Sequence, residues 1–135
     1  FMTDIELKQL QTIIEKQLAF SEDNLQEAIQ KTCIRKQHYQ TLLLKETQDM
    51  VTKSKDLERL YAKLYEDKKL HSDYNWSVKE IEILIENDQQ YYTLSVELNR
   101  LKAVINFLEK TVDNFHSLSF QIKNLIAWKN FQAGN

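Results

Sequence analysis

The spacing of apolar residues along the chain predicts three long helical segments. The first covers about 3–20 and begins with Thr3, followed three residues later by Glu6, which is the pattern of a helix capping box. The second covers about 22–70 and contains no proline or glycine that would interrupt it. The third covers about 88–131 and begins at an aspartate that is placed to cap its first turn. We therefore expect an all-α protein.

The third segment carries the clearest packing pattern in the chain. From Tyr91 to Lys129, twelve positions alternate by three and four residues, and ten of them are apolar. Such a heptad repeat is typical of coiled coils and helical hairpins. The second segment follows this spacing less well, because four of its twelve positions are polar or charged. The pattern predicts an elongated long-helix hairpin or coiled-coil-like protein that forms a single helical domain over residues 2–135.

The segment between the two long helices, about 74–87, has a different pattern. Ile81, Ile83 and Ile85 alternate with glutamates, and a period of two residues is typical of a β-strand. This predicts a possible short strand over 79–86, which would need a partner for its backbone edges. An irregular linker or a helical turn is the alternative.

The end of the third helix is apolar on nearly every face. A helix of this kind is buried on several sides, so we expect an oligomerisation element over 118–133. The alternative is that the first helix covers these residues within one chain. The residues that we expect in the interface between subunits are Phe115, Leu118, Phe120, Ile122, Leu125, Ile126, Trp128 and Phe131.

The composition excludes several classes of protein. There is no proline and only one glycine, so neither a glycine-rich phosphate-binding loop nor a hairpin-rich β fold is expected. No stretch is long and apolar enough to span a membrane. The single cysteine, Cys33, rules out an intrachain disulfide, which suits a reducing compartment. We expect a cytoplasmic protein.

Catalytic and metal-binding patterns are missing from the sequence. His38, His71 and His116 are far apart, and Cys33 lies five residues from His38, which places the two on different faces of a helix. We therefore expect no enzyme activity, no metal and no cofactor.

A basic and aromatic stretch at the end of the second helix is the main candidate for binding single-stranded nucleic acid. Cations contact phosphates and aromatic rings stack on bases, so this combination suits a single strand. The candidate residues are Lys55, Arg59, Tyr61, Lys63, Tyr65, Lys68 and Lys69, with Tyr74, Trp76 and His71 in or just after the stretch. Four carboxylates interleave with them and could instead pair the cations within the chain.

A second candidate lies earlier in the same helix. The run from residue 28 to 45 contains four basic residues and no acid, although the chain as a whole has a net charge of −2. Arg35 and Lys36 at the centre of this run are therefore an alternative DNA-binding site.

Three segments of the sequence resemble the UvsY family of T-even-like bacteriophages. Residues 119–123, followed by Trp128 and Phe131, resemble the end of these proteins, and residues 79–88 resemble the segment before their last helix. The distance between these two segments also looks the same. Residues 61–65 match the basic and aromatic segment of the family, although Tyr61 stands where a basic residue is expected.

The resemblance implies a recombination mediator. Such proteins bind single-stranded DNA as ring-shaped homo-oligomers, either hexamers or heptamers, and are not ATPases. They help to load a RecA-like recombinase, UvsX, onto strands coated by single-strand-binding protein. By this resemblance Arg59, Lys68 and Lys69 supply the charge that is missing at Tyr61. A structural coiled-coil adaptor with no role in nucleic-acid binding is the alternative function.

Overall fold

A computed structural model describes residues 2–134, and this part of the chain is helical with no β-strand. In chain order the elements are α1 (Asp4–Leu18), a short 3₁₀ helix (Glu22–Asn24), α2 (Leu25–Leu70), α3 (Val78–Glu86) and α4 (Gln89–Ala133). The prediction of an all-α protein is confirmed. Residue 135, at the end of the predicted domain, lies outside the described residues.

Short polar side chains determine where the first helices begin. The Thr3 hydroxyl accepts a hydrogen bond from the Glu6 backbone N–H at 3.2 Å, and the Glu6 carboxylate accepts one from the Thr3 N–H at 3.3 Å. These two bonds are the capping box that the sequence predicts. Ser21 caps the 3₁₀ helix, and Asn24 accepts a bond from the Glu27 N–H at 3.0 Å. Because Asn24 caps α2, this helix begins after the 3₁₀ helix.

The prediction of a strand over 79–86 was wrong, because these residues form α3. Ser77 and Glu80 make a second capping box, with both hydrogen bonds at 3.2 Å. Ile81 and Ile85 lie one helical turn apart and are buried, whereas Ile83 is 51% exposed. Three isoleucines at alternate positions contain a pair four residues apart, so their spacing fits a helix with one apolar face. A helix also satisfies its own backbone, whereas a lone strand does not.

The described chain divides into two compact units. One comprises the residues up to Lys45 together with those from Val104 onward, and the other comprises Glu46–Ala103. We call these the terminal unit and the central unit. That residues 2–135 behave as one domain stays a prediction.

The core of the terminal unit is formed by α1, α2 and α4. Leu108, Phe115 and Ile122 are fully buried and lie seven residues apart, as the heptad pattern of α4 requires. The ring of Tyr39 stacks on Phe115 with the centroids 5.4 Å apart, and its hydroxyl donates to the Gln17 side chain at 2.7 Å. The buried apolar cluster consists of Ile14, Leu25, Tyr39, Val104, Leu108, Phe115, Leu118 and Ile122.

In the central unit, α2 and α4 are joined by polar and aromatic contacts. Lys53 and Glu97 form an ion pair with 3.4 Å between Nζ and Oε2. The Tyr61 and Tyr91 rings lie 6.1 Å apart. The buried apolar residues of this unit include Ile81, Ile85, Leu98 and Leu101. These contacts fix which face of α2 is turned inward here and which is turned to solvent.

Candidate nucleic-acid interface

Three cations of the central unit form a solvent-exposed row on α2, which we call the basic stripe: Lys55, Arg59 and Lys63. Residues four apart on a helix are neighbours on one face, with about 5–6 Å between successive Cβ atoms. Within residues 2–134, none of the three forms an ion pair. The side chains are therefore available to contact an anion.

The four carboxylates that interleave with the stripe do not neutralise it through direct pairing. Asp56, Glu58, Glu66 and Asp67 are exposed, and none of them forms an ion pair in the described part of the chain. At ~100° per residue, three of these acids lie near the stripe: Asp56 and Glu66 are three residues from Arg59 and Lys63, respectively, and Asp67 follows Lys63 by four. The three cations therefore have acidic neighbours on the helix surface but are not held in ion pairs by them within residues 2–134.

The structure separates the candidate tyrosines from the stripe. Tyr61 follows Arg59 by two residues, which is a rotation of ~200° about the helix axis. Both Tyr61 and Tyr65 are half-buried, and their rings lie 6.4 Å apart. Desolvation beside α4 raises the pKa of Tyr61, and the carboxylate of Glu82 adds to this rise. The two tyrosines thus lie on the packed side of α2, whereas the stripe faces solvent.

The two remaining lysine candidates lie in the last turn of α2. Lys68 is half-buried and Lys69 is exposed. Cations at this end of a helix interact favourably with its dipole. Lys69 follows Tyr65 by four residues and lies ~120° around the helix from Lys63, so it stands apart from the basic stripe near the end of α2.

A loop over 71–77 follows these lysines and carries two aromatic residues. The Trp76 Nε1–H donates to the Ser72 hydroxyl at 3.0 Å, and the Tyr74 and Trp76 ring centroids are 4.4 Å apart. Tyr74 is 59% exposed. Trp76 is half-buried. The sequence shows two aromatic residues a few positions after a lysine pair, but not that the Tyr74 ring is more accessible than those of Tyr61 and Tyr65.

The alternative site at Arg35 and Lys36 lies in the terminal unit, and both side chains have partners there. The Arg35 guanidinium donates to the Gln17 carbonyl near the end of α1 at 3.1 Å. Lys36 Nζ lies 2.8 Å from His116 Nδ1, and because an ammonium can only donate, Nδ1 is the acceptor. Lys36 borders an open groove of about 390 Å³. The residues that line this groove are Cys33, Lys36, Gln37, Gln40, His116, Ser119, Phe120 and Lys123.

The residues expected in an interface between subunits fall into two groups. Phe115, Leu118 and Ile122 are buried in the core of the terminal unit. Leu125 and Ile126 are partly buried and pack against the same core. This core also contains residues of α1. Contacts within one chain, which were the alternative to a subunit interface, therefore cover these five side chains.

The other three residues are exposed. Phe120, Trp128 and Phe131 are 55%, 57% and 64% exposed, and the Trp128 and Phe131 rings stack at 5.9 Å. Large exposed aromatic side chains grouped near one end of a helix are typical of an interaction surface. The oligomerisation element over 118–133 stays a prediction, and these three are the predicted interface residues that the chain itself leaves exposed.

The structure also bears on membrane spanning and on metal binding. None of the helices in residues 2–134 combines the length and apolar character that crossing a bilayer requires. The same residues contain no group of three or more His, Cys, Asp or Glu side chains that could hold a metal ion.

Comparison with known proteins identifies a family and a fold. The sequence model of "Recombination, repair and ssDNA binding protein UvsY" matches residues 9–135. A search of curated protein sequences gives no match. Crystal structures of the bacteriophage T4 recombination mediator protein UvsY superpose on the chain in three lattice types. Type II has a TM-score of 0.83 at 14% identity, and the alignment covers 98% of this chain and 99% of that one.

The other two lattice types agree with this result. Type IV gives a TM-score of 0.81 at 13% identity, covering 93% of this chain and 98% of that one. Type I gives 0.76 at 14% identity, with 92% and 98% covered. At such low identity these matches show a shared helical fold. Because the family's sequence model spans nearly the whole chain, the protein belongs to the UvsY family of recombination, repair and single-stranded-DNA-binding proteins.

Proposed function

We propose that this protein is a recombination mediator. It binds single-stranded DNA without base specificity and helps to load a RecA-like recombinase onto DNA coated by single-strand-binding protein, in phage recombination and repair in the host-cell cytoplasm. Membership of the UvsY family supports the class of function. The observation that carries DNA binding is the basic stripe, whose three cations are exposed and unpaired within residues 2–134.

The stripe suits a DNA backbone better than it suits bases. Lysine and arginine side chains in a row can contact successive phosphates, which are the same in every sequence. No chemical step at the DNA is required for this role, and we propose that the protein acts without catalysis, metal or cofactor. Lys68 and Lys69 would add contacts at the end of the same helix.

A homo-oligomer forms part of the proposal. Phe120, Trp128 and Phe131 expose large apolar surface in the terminal unit, and a second copy of this chain would cover it. A ring of six or seven subunits is what the family resemblance implies. Several stripes held in one assembly would engage a single strand together.

The test uses the wild-type protein and a labelled single-stranded oligonucleotide. We expect an electrophoretic shift at low salt that is the same for oligonucleotides of different sequence and that weakens as salt rises. Absence of a shift at low salt would exclude the mediator and leave the coiled-coil adaptor as the function. For the loading step, we expect the protein to raise the DNA-dependent ATP hydrolysis of a RecA-like recombinase on coated DNA. No rise would confine its role to DNA binding.

A further inference from the structure

Base stacking requires an aromatic ring with an accessible face, and the tyrosines of α2 do not offer one beside the stripe. Tyr61 packs near Tyr91 of α4 and is half-buried, as is Tyr65. Both lie on the packed side of α2. If single-stranded DNA follows the basic stripe, base stacking in the central unit requires aromatic rings other than those of Tyr61 and Tyr65.

The loop over 71–77 presents one exposed ring, Tyr74, just after Lys69 and the end of α2, and the half-buried Trp76 lies against it. Lys69 lies next to the last residue of α2, and the loop begins two residues later. Tyr74 is 59% exposed, and the neighbouring apolar residues Leu70 and Val78 are 69% and 51% exposed. An exposed aromatic and apolar surface next to cations combines the two features that bind single strands.

Hydrogen bonds hold the two loop rings in a defined arrangement. The Ser72 hydroxyl accepts from the Trp76 indole N–H at 3.0 Å and from the Tyr74 backbone N–H at 3.4 Å. The Trp76 backbone N–H donates to the Tyr74 carbonyl at 3.1 Å. A platform that is ordered before binding loses less conformational freedom when a base stacks on it.

We propose that Tyr74 and Trp76 form the base-stacking platform of this protein. The proposal rests on the proposed function, because it assumes that a single strand follows the basic stripe. The stripe and Lys69 contact phosphates, and the loop rings contact bases without reading their identity. Asp73, which is exposed in the same loop, limits how closely a phosphate can approach there.

Trp76 supplies a direct readout. The chain contains two tryptophans, so a Trp128→Phe variant leaves Trp76 as the only one. Titration of this variant with an oligothymidylate is expected to change the Trp76 fluorescence with the same midpoint as the anisotropy of a labelled oligonucleotide. Because Trp128 lies on the proposed subunit interface, light scattering must show an unchanged mass. If the mass changes, the Trp76 signal can instead be obtained as the difference in fluorescence between wild type and a Trp76→Phe variant in the same titration.

Tyr74→Ala provides the affinity test. Stacking on one base is worth ~1–3 kcal/mol, so the Kd should rise about 5-fold to 150-fold. Tyr92→Ala is the matched control, because Tyr92 is also 59% exposed but lies on α4. We expect this control to bind as the wild type does, and circular dichroism should show the same helix content in both variants.

Two results would overturn the platform, and they are distinguishable. If wild type binds the oligonucleotide while Trp76 fluorescence and the Tyr74→Ala affinity are unchanged, DNA binding stands and the loop has no part in it. If wild type does not bind at any salt concentration, the proposed function fails and the platform fails with it.

Discussion

Removal of two cations from the basic stripe should change the salt dependence of DNA binding by a calculable amount. For single strands, log Kd rises with log salt with a slope of about 0.7 for each phosphate that a cation neutralises. Lys55, Arg59 and Lys63 are unpaired within residues 2–134, so all three are available, and the slope contributed by one stripe is about 2.1. The Arg59→Ala, Lys63→Ala double variant retains one cation of the stripe, so the measured slope should fall by about 1.4, whatever Lys68 and Lys69 add to both proteins.

These slopes predict a large difference over an ordinary range of salt. Between 50 and 200 mM salt, a fourfold change, the stripe should account for an affinity loss of about 18-fold in the wild type and about 2.6-fold in the double variant, on top of an equal loss from any other contacts. The assay is the anisotropy of a labelled oligonucleotide that is short enough to contact one subunit. Alanine is a strong helix former, so the helix content should be unchanged.

A charge-matched control distinguishes the stripe from a general effect of net charge. Lys102 and Lys110 are exposed cations on α4, and neither forms an ion pair in the described chain. The Lys102→Ala, Lys110→Ala variant removes the same charge and should keep the wild-type slope. Equal slopes in all three proteins, with the oligomer intact, would refute the assignment. The site would then move to the groove beside Lys36.

Three further predictions concern the terminal unit. Phe115→Ala should lower the free energy of unfolding by about 3–5 kcal/mol, whereas Ile34→Ala, at an exposed position outside the proposed interface, should change it by about 0.5 kcal/mol or less; urea unfolding measures both. Light scattering should give a wild-type mass well above that of a dimer, and Trp128→Asp with Phe131→Asp should reduce it; an unchanged mass would contradict the interface. Burial raises the pKa of Tyr39, so the neutral phenol favours the folded state and stability should fall as pH rises above about 10. Tyr39→Phe should show a smaller loss between pH 7 and pH 11.

The sequence predicts the helical class and the packing seam of α4 because both depend on local periodicity. The absence of proline permits long helices, and positions 108, 115 and 122 are buried at the heptad spacing. The strand prediction failed because alternation over seven residues is too short to separate a period of 2 from a period of 3.6. The capping box formed by Ser77 and Glu80 was the local feature that distinguishes them.

The candidate sites were harder to predict, because the spacing of residues along the sequence does not show what each face of a helix packs against. Five of the eight apolar residues assigned to a subunit interface pack on the core of their own chain, and nothing in the spacing separates that case from contact between copies. Arg59 and Tyr61 are only two residues apart in the sequence but lie on opposite sides of α2. The sequence groups these two residues because they occur in the same short stretch of the chain. In the helix, however, their side chains point to opposite sides.

The number of free cations explains why assembly matters to the proposed function. One subunit offers three cations in its stripe, with Lys69 nearby at the end of the same helix, in a chain whose net charge is −2. So few phosphate contacts give weak binding at physiological salt. Joining several subunits makes each further contact intramolecular, which raises the effective concentration of the remaining sites along one strand. A mediator must also release DNA to a recombinase, and a set of weak sites can be displaced one at a time. We therefore expect the Trp128→Asp, Phe131→Asp variant to bind long single strands more weakly than wild type, although its basic stripe is intact. Equal affinity in a dissociated variant would mean that one subunit suffices and that assembly serves another purpose.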